Sequence, residues 1–170
     1  IYQVECSQRA SAFVVPAEIA KALGGRCIAE EELLVHGEDS DAMEIALYLS
    51  DSLLHTAGRL DRALHWGTGE AVLHHALNPF CLLVEGVSHF LYLSHVSDRD
   101  QKVSLLELEL QAEIDKFATC MLWGWSGGVP WAQQLRARLF DRVEYNEKLN
   151  SEETWRYAEA NRLSRVFCSG

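Results

Sequence analysis

The chain is 170 residues long, 48% hydrophobic and 24% charged, with a formal net charge of −10 at pH 7. These values are those of one globular domain, 1–170, and exclude a long disordered or low-complexity tract. The negative charge repels phosphate backbones, and the arginines (Arg136, Arg138, Arg142, Arg156, Arg162, Arg165) occur singly rather than as a massed track, so nucleic acid is excluded as a partner.

Residues 1–50 read as a small strand-containing region. Phe13-Val14-Val15 predicts a short strand. Pro16 opens a helix over 17–23 that Gly24-Gly25 ends. Leu33-Leu34-Val35, the polar cluster Gly37-Glu38-Asp39-Ser40-Asp41 and the alternating segment 44–49 predict a β-hairpin with Ile45, Leu47 and Leu49 on one face. A helix starting after Ser40 is the alternative, because Ala, Met, Glu and Leu all form helices well.

Residues 51–170 read as helical. Asp51 caps a helix to about Ala63, and Gly67-Thr68-Gly69 breaks the chain before a short helix over 70–77. Asn78-Pro79, an N-cap followed by proline at the first helical position, starts the next helix, which reaches about His95. After the polar loop 97–101, Ser104 and Glu107 form a capping box for a helix to about Leu122. A glycine- and tryptophan-rich loop follows, Pro130 starts a further helix, and the last helix begins after Asn150-Ser151 with Glu152 and Glu153 in its first turn. The predicted fold is α+β and mostly α: an antiparallel helical bundle with a small N-terminal hairpin.

The five cysteines (Cys6, Cys27, Cys81, Cys120, Cys168) are odd in number and lack a CxxC spacing, so neither a disulfide framework nor a cysteine zinc site is indicated. Reduced thiols point to a cytoplasmic protein, with Cys81 and Cys120 as small core residues. The start of the chain lacks a signal-peptide pattern. The longest apolar stretch, 79–93, is too short and too polar for a membrane span.

That stretch holds the main chemical signal. Glu85 is its only charge, and His89 follows one helical turn later. On a helical wheel Cys81, Glu85, Ser88, His89 and Tyr92 share one narrow arc, and apolar residues fill the rest. On the helix after Ser104, Leu106, Leu110, Ile114, Phe117 and Met121 predict the core stripe, with Glu113 at its rim and Glu109 one turn before it. Short-loop helices pack antiparallel, so Glu85 and His89 face Glu109 and Glu113.

Two functions are open. The favoured one, in the absence of a complete catalytic motif, is a soluble accessory protein that binds another protein or a second copy of itself through apolar and aromatic surface, with Trp123, Trp125 and Trp131 as contacts. The alternative is a metal-dependent enzyme, for example a hydrolytic one, or a metal-binding protein, holding a divalent metal at Glu85, His89, Glu109 and Glu113 between two helices. In a metal-free version Glu85 orients His89 as a general base, with Glu113 beside them. The plainer reading of the same residues is an i,i+4 polar pair, with Lys116 or an arginine neutralising Glu109 and Glu113. The tryptophans likewise have a plainer role as a plug for one end of the bundle.

Overall fold

The computed structural model describes residues 9–37, 44–65, 69–97, 99, 101–123, 128–145, 147 and 149–169, without the side chains of 60–65, 69–75, 123 and 128–129. A 3-10 turn, Ala10–Ala12, leads into β1 (Val14–Val15) and α1 (Ala17–Ala22). Then come β2 (Glu31–His36), β3 (Glu44–Leu49), α2 (Asp51–His65), α3 (Gly69–Ser97), α4 (Leu105–Trp123), α5 (Gly128–Arg136) and α6 (Ser151–Phe167). The π-helical stretch Ala137–Asp141 continues α5. This is a mostly-α α+β fold, as the sequence predicts.

β2 and β3 form the antiparallel ladder that the alternation indicates, with Leu33 opposite Leu47 and Glu31 opposite Leu49. The polar turn, 38–43, lies outside the described residues. β1 adds to β3 in parallel, giving the order β1-β3-β2 and leaving β2 at an edge. Side chains alternate between the two faces of the sheet. Leu33, Ile45, Leu47 and Leu49 cluster with Phe90 of α3 and Leu53 of α2, whereas Leu34, Ala46 and Tyr48 cluster with Ala20 and Leu23 around α1. α1 ends in a Schellman motif: Gly24 takes φ +83°, and Gly25 and Gly24 donate to the carbonyls of Ala20 and Lys21.

Several helix boundaries differ from those read in the sequence. The N-terminal oxygen acceptor of α2 is Ser50, whose Oγ takes the Leu53 N–H at 3.1 Å, so Asp51 is the first helical residue instead of the cap. The helices expected over 70–77 and from Pro79 run together as α3, with the break at Ala76 (φ −131°, ψ 21°). Pro79 is tolerated in the first turn after the break, where no N–H is required. Thr68, the expected cap, lies outside the described residues. α5 starts at Gly128, two residues before Pro130. The Ser104–Glu107 capping box forms as predicted; a second one, Asn150–Glu153, which the sequence reading did not name, opens α6.

By length and composition, Ala76–Ser97 suffices to cross a membrane, contrary to the reading of 79–93. In this fold that segment packs against α2, α4 and the hairpin. The stripe expected on α4 is also corrected. Leu106, Leu110, Ile114, Phe117 and Met121 are only half-buried, and the buried positions are Leu108, Glu109, Ala112, Lys116 and Cys120. The cause is that α4 lies between α3 and α6, so the side carrying its charges is covered by α3.

Trp131 is 4% exposed and joins Leu77, Phe80, Cys81, Cys120 and Leu135 in a core cluster. This corrects its assignment as a partner contact: the ring is used inside the fold. The side chain of Trp123 and all of Trp125 lie outside the described residues. Cys27, Cys81, Cys120 and Cys168 are free thiols, and the Cys120 thiol is raised well above its ordinary range by its hydrogen bond to Cys81 and by burial.

Candidate metal centre

The α3–α4 interface is a ladder of polar pairs. Ser88 Oγ donates to Asp115 Oδ2 at 2.6 Å, Lys116 Nζ donates to Glu85 Oε2 at 3.0 Å, and His89 Nε2 lies 3.4 Å from Glu109 Oε2. Partners descend on α4 as they ascend on α3, the signature of antiparallel packing. The wheel arc Cys81–Glu85–Ser88–His89 therefore faces α4, as predicted. Ser88 points at Asp115 and not at His89.

Three of the sequence-predicted ligands converge. One atom each from Glu85, His89 and Glu109 lie within 4.8 Å of one another. His89 is 8% exposed, and its Nε2 lacks the alignment of a hydrogen bond to any described residue despite the nearby Glu109 oxygen. A buried ring nitrogen without a hydrogen bond costs free energy, which coordination to a cation would offset.

Glu113 does not join this group. Its Oε1 accepts from Lys116 Nζ at 2.7 Å, and the same ammonium holds Glu85, so Lys116 stands between Glu113 and the three. Burial nonetheless outweighs Lys116 and raises the Glu113 carboxyl above its ordinary range. The four-ligand set, and the catalytic role given to Glu113, are thereby reduced to Glu85, His89 and Glu109, with Glu113 a partner of Lys116. Neutralisation by Lys116 and by an arginine, anticipated as the plainer reading, is also present: Arg156 Nε lies 3.4 Å from Glu109 Oε1.

The sequence reading missed Glu31. It shares strand parity with Leu33 and so faces α3. It is 9% exposed, and its Oε2 has no hydrogen-bond partner among the described residues. Burial, then the Glu85 carboxylate, pushes its carboxyl up to about 8, against the pull of His89 and Lys116. For His89, burial opposes the charged form, but Glu109, Glu31 and Glu85 outweigh it and raise the imidazole above its ordinary value. Strand alternation was the available signal: an acidic residue in phase with Leu33 and Val35 belongs on the buried face.

A cavity of ≈ 260 Å³ opens beside these groups; its wall includes Glu31, His89, Glu109, Arg156 and Tyr157. The Tyr157 phenol is raised by burial and by Glu109, Glu85 and Glu31, which places it in the field of the same carboxylates.

No protein-family model, curated protein or solved structure matches this chain. The fold and this cluster define a mostly-α protein with a candidate carboxylate–histidine metal centre, and its function is argued from that chemistry.

Proposed function

We propose that the protein is a divalent-metal-dependent enzyme of hydrolytic type, with the cation held by Glu85, His89 and Glu109. The observation that carries this reading is the convergence of those ligand atoms within 4.8 Å around a buried imidazole nitrogen that stands 3.4 Å from Glu109 Oε2 and has no aligned hydrogen bond among the described residues. Two carboxylate oxygens and one imidazole suit manganese, iron or zinc better than the soft-ligand metals. Three protein ligands leave positions open for water or substrate, the arrangement of a catalytic rather than a structural site. The cavity supplies access. A cation there would polarise a bound oxygen and lower the pKa of bound water.

The test is elemental analysis with thermal melting, on protein prepared without chelator or histidine tag. About one metal per chain is expected, lost in Glu109→Gln and His89→Gln, with a higher melting temperature for the wild type when manganese or zinc is added. Wild-type protein that binds neither metal and melts unchanged would overturn the reading.

A second reading, an interaction protein, is favoured by exposed apolar side chains at the end of α6: Val166 and Phe167 are 66% and 69% exposed. Large apolar groups side by side in water suit a partner surface.

A further inference from the structure

The cavity beside the cluster has a donor side that the cluster itself does not use. Arg156 is nearly buried, with its side chain 13% exposed. Its Nε faces Glu109, and its guanidinium carbon lies 5.5 Å from the centre of the Tyr157 ring. The terminal nitrogens of Arg156 and the Tyr157 hydroxyl make no hydrogen bond to any described residue, yet both side chains line the cavity. Of the four acidic groups on the same wall, three are already engaged; the fourth, Glu31, has no hydrogen-bond partner for Oε2 among the described residues, and burial pushes its carboxyl up to about 8. Glu109 faces His89 and Arg156, Glu32 accepts from the N–H groups of Arg26 and Cys27, and Glu153 caps α6 and pairs with Arg26.

A guanidinium held through Nε, whose terminal nitrogens make no hydrogen bond to a described residue and whose residue borders the cavity, is suited to donate two parallel hydrogen bonds to a carboxylate or phosphate. At ≈ 260 Å³ the cavity lies below the usual range for drug-sized ligands, which selects a small molecule over a polymer.

We propose that the substrate of this site is a small oxyanion, a carboxylate or a phosphate ester, whose oxygens bridge the bound cation and the Arg156 fork and accept a hydrogen bond from Tyr157. This rests on the metal reading above. Glu109, which faces both His89 and Arg156, would tie the cation-holding residues to the guanidinium.

The test uses full-length protein loaded with cobalt(II), whose visible spectrum reports its ligands, with inorganic phosphate and acetate as probes and calorimetry for affinity. Saturable spectral change with either anion is expected. Arg156→Lys, which keeps the charge but removes the fork, is expected to weaken binding about tenfold, and Tyr157→Phe about threefold, both retaining one cobalt per chain. Tighter phosphate binding assigns the phosphate ester, and tighter acetate binding assigns the carboxylate. Bound cobalt with no response to either anion at millimolar concentration, or equal affinity in both variants and wild type, would overturn this inference and leave the metal reading standing. Failure of the wild type to bind cobalt would overturn both.

Discussion

Gly86 and Glu31 meet where the sheet lies on α3: a Cβ on Gly86 would stand 3.2 Å from Glu31 Oε2. The same Cβ would stand 3.2 Å from Leu47 Cδ1 and 3.3 Å from Leu49 Cδ2. The missing side chain is what lets the Glu31 carboxylate approach the helix between Glu85 and the turn that carries His89.

Gly86→Ala sets two effects against each other. Alanine gains about 1 kcal/mol of helix propensity, while overpacking against three neighbours costs about 1–3 kcal/mol. Net destabilisation is expected, read as a lower urea midpoint with unchanged slope. A stabilised variant would show that the approach is looser than these distances indicate.

Lys116 holds Glu85 and Glu113 together in a nearly buried site. Lys116→Met would leave both carboxylates without their cation and is expected to cost about 3–5 kcal/mol. Adding Glu113→Gln to Lys116→Met should recover part of the loss, so a double-mutant cycle by urea denaturation should give clear coupling. Additive losses would mean that Lys116 does not act through Glu113.

The buried cluster also sets a pH dependence. Glu31 keeps a proton in the folded state up to about 8. The unfolded chain releases that proton near the ordinary carboxyl value, so stability falls as pH rises between the two. His89 and Glu113 are raised as well and act with the same sign. The His89 contribution is fully present below its unfolded pKa and is lost as pH rises through the folded one. A melting temperature that declines from about pH 5 to about pH 8 is expected for chelator-treated, metal-free protein, with Glu31→Gln removing a share on the order of a few kcal/mol. A flat profile in the wild type would contradict it.

Asn150 accepts the Glu153 N–H through Oδ1 at 2.9 Å and starts the helix that presents Arg156 and Tyr157. Asn150→Ala is expected to cost about 1 kcal/mol. Because the first two turns of α6 carry Glu153, Arg156 and Tyr157 of the cavity wall, faster amide exchange at residues 152–156 should accompany the loss. Unchanged exchange there would mean that the cap does not hold that turn.

The amino-acid sequence by itself determined what depends on neighbours in the chain. Alternation over 44–49 set the hairpin, Ser104 and Asn150 began their helices where capping chemistry requires, and the 100° arc of α3 aligned Glu85 with His89. Tertiary structure decided what depends on packing between distant segments. It turned the charged side of α4 inward, paired Glu113 with Lys116, sent Trp131 into the core, and brought Glu31 from the sheet and Arg156 from α6 to one cavity. Periodicity shows which residues share a face. Which element covers that face, and which charges then lose water together, is set only when the elements pack.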